Sequence, residues 1–399
     1  EHNIARVLNS ALDAAGKLPR NAYPDFIIRG QEYTDDVRVS AGEVALLAGQ
    51  AFFKSGSVLT IEAGATIDAS STGGNGGTVI AWGNDALNFQ GLVDTIGGNI
   101  GGGDDGFVEM STKGTGVIGG TVRTGYMLVD PGDVCVSTAS TSGCTSGAFD
   151  LDDAIIEGVL NVGGTFELNT DTYGTSGTGK VEFGGGGNVT INNNTGTMGT
   201  FIIHAADTID TVQVGFLTNG TTGTNYEWYA GSSATASPVS SADIIHFGQV
   251  FNTGGGHVIF DAANDVSIGD PLTTSGGDVS LIARGSKVIF RTSDAYIDSS
   301  GGAISIQADT LQVNGSATFD PLINAGTGTV SIKSNTAGRK IVLGGSSGSS
   351  LSINNDVLDR IEADTLSIGD SSAGSITIAS SISPAQANTL LLTTGGAIV

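Results

Sequence analysis

The chain has 399 residues, 63 of them glycine and 7 proline, and only 14% are charged. That glycine load lacks the three-residue period and proline content of collagen, and the apolar residues recur in alternating runs foreign to a disordered chain. With 16 Lys and Arg against 40 Asp and Glu, the formal charge of −24 argues against phosphate-mediated nucleic-acid binding and against electrostatic adhesion to anionic lipid. Acidity reads instead as a device that keeps a long, repetitive β surface soluble, with dedicated cation binding as the alternative.

Residues 3–16 are the one good helical candidate. Ile4, Val7, Leu8, Leu12 and Ala15 recur at helical spacing between a capping Asn3 and a terminating Gly16, and Pro19 and Pro24 forbid continuation. Residues 1–36 thus read as a cap and linker over the end of an array, or as a docking segment for a neighbouring subunit. Glu1 and Val399 read as the limits of a piece of something longer. No run reaches the ~18 apolar residues of a helical membrane span, so membrane insertion is not expected.

From Val37 the pattern changes to strands of alternating character, including Val37–Val39, Val58–Ile61 and Ala65–Asp68, with glycines at the corners. A glycine-rich passage then occurs twice at a spacing of about 29 residues, the self-similarity of a stacked repeat. Gly77 falls on Gly106, Val79 on Val108, Phe89 on Ile118, Gly91 on Gly120, Val93 on Val122 and Thr95 on Thr124. Residues 37–125 form a first stack in this reading, and 126–180 an irregular insertion holding Cys135, Cys144 and the acidic run Asp150-Leu151-Asp152-Asp153. Two cysteines nine positions apart, with the four histidines scattered, read as a local disulfide rather than a metal site and imply an oxidising compartment.

Beyond the acidic run, Ile155-Ile156, Val159–Val162, Thr165–Leu168 and Val181–Phe183 read as strands resuming the rhythm. Residues 181–399 form a second, continuing stack interrupted by a loop at 216–242. That loop carries Tyr226, Trp228 and Tyr229, a candidate platform for a sugar ring or a protein partner, weighed against packing back onto the stack. The last third is the most regular: Gly255-Gly256 is echoed by Gly276-Gly277 and Gly301-Gly302, each pair followed by a strand.

Repeats of 20–29 residues with two or three short strands specify an all-β fold, a right-handed parallel β-helix (solenoid) with a short N-terminal helical segment and irregular loop insertions. Inward positions are Val, Ile, Leu and Phe, outward ones Thr, Ser, Asn and Asp, with Thr and Asn ladders along the axis. At roughly 23 residues per turn, about 16 turns would make a rod of about 75 Å. A propeller, a sandwich and a calcium-binding nonapeptide roll fit the spacing less well; Asp104 and Asp105 are the weak calcium candidates, and no other cofactor is expected.

Gly76-Gly77-Thr78-Val79-Ile80-Ala81-Trp82, Phe89-Gln90-Gly91, the run from Gly102 to Ser111 and Met127-Leu128-Val129-Asp130-Pro131 follow one another in an order similar to the filamentous haemagglutinin-like exoproteins of two-partner secretion systems. The repeats at 358–382 and the closing Leu390–Ile398 run resemble their later repeats, while the family's amino-terminal secretion domain is missing from this sequence. The resemblance implies a secreted or cell-surface bacterial adhesin, exported through an outer-membrane partner. Its ligands would be a host or neighbouring-cell surface, a glycan or a matrix. A self-assembling subunit of an extracellular filament or sheath is the second reading.

A polysaccharide-acting enzyme on the same scaffold ranks lowest. Asp104 and Asp105 near Arg123, or Asp150, Asp152 and Asp153, would have to converge, and adjacent acids in glycine-rich corners are usually turn formers. Asp152 and Asp153 would also face opposite ways on a strand. No catalytic residues are assigned. The triplets beginning at Asn188, Asn219 and Asn314 fit a glycosylation acceptor and read as ladder residues.

Overall fold

The computed structural model describes residues 26–29, 37–39, 42–45, 50–98, 102–138, 144, 149–170, 178–184, 189–211, 214–218, 223–231, 240–248, 250–314 and 318–399. The expected helix at 3–16 lies outside them. Of the described residues about half are strand and 4% helix, with a long parallel sheet wound nearly closed round an axis, as in a parallel β-helix or solenoid. Two compact units divide at Ile202 and Ile203.

In the first unit each turn lays three short strands on those of the turn before. One face stacks Phe26–Arg29, Gln50–Ser55, Thr78–Gly83, Phe107–Thr112, Tyr126–Asp130 and Thr165–Asn169. A second stacks Val37–Val39, Val58–Ile61, Ala86–Phe89, Thr115–Ile118 and Phe149–Asp152. A third stacks Gly42–Ala45, Ala65–Asp68, Leu92–Asp94 and Thr121–Arg123. The 29-residue repeat is the register itself, since Val79 pairs Val108, Phe89 pairs Ile118 and Val93 pairs Val122. Alternation puts Val79, Ala81, Val108, Met110, Met127 and Val129 inside, all at 0% exposure. Each Val or Met buried in this way contributes roughly 1.5–3 kcal/mol.

Residues 126–180, expected as an insertion, contribute Tyr126–Asp130, Val134–Ser137, Phe149–Asp152 and Thr165–Asn169 to the ladders. Residues 153–160 are a helix, not strand. Asp152 caps it by accepting from the Ala154 amide at 3.0 Å, and Ile155, Ile156, Val159 and Leu160 form one buried stripe. That i, i+1, i+4, i+5 spacing is helical and was legible as such. The helix stands where the third face would carry a strand. A Cβ on Gly158 would meet the Val122 carbonyl at 2.8 Å, and Glu157 accepts from the Asn192 amide at 2.6 Å.

The second unit follows the same plan. Val258 pairs Val279, Val279 pairs Ile304 and Ile304 pairs Val330; Val266, Val288 and Leu311 stack alongside. The doubled glycines do two different jobs here. Gly276 has φ +108, a conformation L side chains rarely adopt, whereas a Cβ on Gly277 would lie 2.1 Å from the carbonyl oxygen of Gly256 in the turn below. Inside each corner Thr253, Thr274 and Ser299 donate to the carbonyls of Gly256, Gly277 and Gly302 at 2.5, 2.5 and 2.6 Å. Where Thr and Asn ladders were expected, threonine and serine hydroxyls satisfy carbonyls that the coil buries, each within its own corner.

Candidate functional site

The aromatic triplet at 226–229 is not an exposed platform. It lies on the strand Thr224–Ala230, whose alternation turns Tyr226 and Trp228 inward at 1% and 0% exposure. Trp228 stacks on Phe260 at 5.0 Å and meets Phe251 edge-on at 5.6 Å, while Tyr226 meets Phe251 at 4.8 Å. Sequence reasoning took the segment for a loop because its flanks are rich in Gly, Ser and Thr. Strand alternation starting at Thr224 was the available signal. Tyr229 alone faces outward, stacked on His204 at 4.9 Å with its hydroxyl 3.4 Å from Glu227.

His246 closes the same cluster, at 0% exposure and 5.4 Å from the Phe251 ring. Burial depresses its pKa to about 4, so it is neutral at pH 7.

The acidic candidates do not converge on one centre. Arg123 pairs with Asp94 at 3.0 Å rather than with Asp104 or Asp105. Asp104 is exposed, and Asp105 accepts from the Gly97 amide at 2.7 Å. Asp152 ends the strand Phe149–Asp152 and caps the helix, and Asp153 is corrected from strand to the first residue of that helix. There burial raises Asp153 to about 6; the Thr138 hydroxyl, donating at 2.9 Å, opposes this, and the Asp152 and Glu157 carboxylates reinforce it. Asp150 lies two residues before Asp152 on the same strand, opposite Cys135. Among the described residues no group of three or more His, Cys, Asp or Glu is placed to hold a metal ion.

Cys135 and Cys144 are joined by a disulfide with Cα atoms 5.7 Å apart. It ties the strand Val134–Ser137 to residue 144, near the Gly184 carbonyl of the next turn. Of the three glycosylation-type triplets, those at Asn188 and Asn219 lie outside the described residues; Asn314 accepts from Gln312 at 2.9 Å.

One surface was not anticipated. On the first face of the first unit, outward positions bring large apolar side chains into contiguous register. Phe52 is opposite Ile80, Ile80 opposite Glu109, and Glu109 opposite Leu128; in the next row Thr78, Phe107 and Tyr126 follow one another. All seven of these, with Trp82, are half-buried rather than covered. The Phe107 and Tyr126 rings lie 5.7 Å apart at 34°. They border a shallow hollow whose rim includes Asn75, Thr78, Asp104, Asp105 and Leu128. The Tyr126 hydroxyl donates to Glu167, which fixes its ring against the sheet. Burial, with the Glu167 carboxylate adding to it, pushes the phenol upward, so it stays protonated as that donor.

No family model, curated protein or solved structure matches the chain.

Proposed function

We propose that the chain is a segment of a secreted or cell-surface bacterial attachment protein, similar to the filamentous haemagglutinin-like exoproteins, in which the β-helix is a scaffold and contact is made through its outward faces. The observation that carries this reading is the half-exposed apolar face formed by Phe52, Ile80, Trp82, Phe107, Tyr126 and Leu128. Contiguous apolar patches mark contact surfaces. The Cys135–Cys144 disulfide supports an oxidising, extracellular setting. The ordered motifs over 73–134 support the family.

The binding region therefore moves from 216–242, whose aromatics support the core, to the first unit. The purified chain, added to cells or immobilised matrix, is expected to attach, and Phe107→Ala with Trp82→Ala to attach less while keeping the circular dichroism spectrum of the folded chain. Attachment by neither protein, with long ordered fibres in electron micrographs, would replace this reading with the filament.

A further inference from the structure

The outward face of the first unit has the composition of a saccharide platform as well as its exposure. It crosses five strands, from Gln50–Ser55 to Thr165–Asn169, so four steps of about 4.8 Å give a track about 19 Å long. Its rings are held by a hydrogen-bonded sheet, so little ordering entropy is lost when something stacks on them. Beside the rings stand acceptors. Glu109, two residues from Phe107 on the same side of the strand, accepts from Ser111 at 2.9 Å with one oxygen, and Asp104 and Asp105 are exposed on the rim of the hollow. Ionised carboxylates only accept, and aromatic faces attract cations.

We infer that this face binds a glycan of amino-sugar units, the sugar rings lying on Phe107 and Tyr126 and the ammonium groups directed to Glu109, Asp104 and Asp105. This rests on the attachment reading and names its ligand class. A uronic or sialic acid polymer would meet like charge on the rim and across a chain of net charge −24. A protein partner would need more buried area than this track supplies, since a stable interface covers about 800 Å² on each side.

The test is titration of the full chain with a glucosamine hexamer, its N-acetylated counterpart and polygalacturonate, at low and high salt. The glucosamine hexamer is expected to bind, with affinity falling as salt rises; the acetylated hexamer should bind more weakly, and polygalacturonate not at all. Phe107→Ala and Glu109→Gln should each weaken binding about tenfold. Circular dichroism and the melting temperature serve as the fold check, and Glu109→Gln is a surface change that leaves the ladder intact. Equal binding of the acetylated hexamer, or unchanged binding by both variants, would overturn the inference. Attachment to cells without hexamer binding defeats the ligand class alone. Hexamer binding without attachment defeats the attachment reading and leaves the ligand class standing.

Discussion

The Oγ1 atoms of Thr95 and Thr124, 29 residues apart in sequence, lie 2.7 Å apart in the interior of the coil, where both residues have 0% exposure. Thr124 Oγ1 is also 2.8 Å from the Gly106 carbonyl, so the pair links two turns and closes the corner above them. Thr124→Val keeps the shape, takes away the Thr95 hydroxyl's acceptor and leaves the Gly106 carbonyl with the Tyr126 amide alone. It should cost about 1–3 kcal/mol in denaturant unfolding of the first unit. A change within error would mean that the corner is held by apolar packing alone.

The glycine pairs make a contrast that one experiment can read. Gly276→Ala meets open space and strains only the backbone, for about 1–3 kcal/mol. Gly277→Ala drives a methyl against the Gly256 carbonyl of the turn below and should cost more than about 3 kcal/mol. Equal melting temperatures for the two variants would contradict the stacked geometry.

Trp228 is a core residue by this account. Trp228→Ala should remove about 3–5 kcal/mol from the second unit, whereas Tyr229→Ala, which loses the His204 stack and the weak hydroxyl contact to Glu227, should cost about 0.5–1.5 kcal/mol. Chemical denaturation of the three proteins ranks them.

His246 should make the second unit acid-sensitive. Its folded pKa, about 4, lies below the ordinary histidine value of 6.5, so its favourable contribution is full above about pH 6.5. It is lost progressively as pH falls towards 4, for roughly 3 kcal/mol in all. His246→Phe should flatten the pH dependence of the melting temperature across that window. An unaltered slope would show that the carboxylates govern acid unfolding.

Much of the architecture was legible in local pattern. Period-two alternation names the inward side chains, and the 29-residue spacing gave the pairing of Val79 with Val108 and of Thr95 with Thr124. Both are properties of neighbouring residues and of chain distance, which sequence carries directly. The helix Asp153–Leu160 was also within reach, because its apolar stripe is a local signal.

The binding surface was not legible in that way. Phe52, Ile80, Trp82, Phe107, Tyr126 and Leu128 are spread over 77 positions (128 − 52 + 1), each an unremarkable outward residue of its own strand. Only the register of the stack sets them side by side, because parallel coiling turns sequence separation into a single inter-strand step. Conversely, the dense triplet Tyr226, Trp228 and Tyr229 looks like a surface in one dimension, yet the closing of the coil buries its first two members against Phe251 and Phe260. Which side of a strand meets water depends on what is stacked around it, and that is set by the fold as a whole.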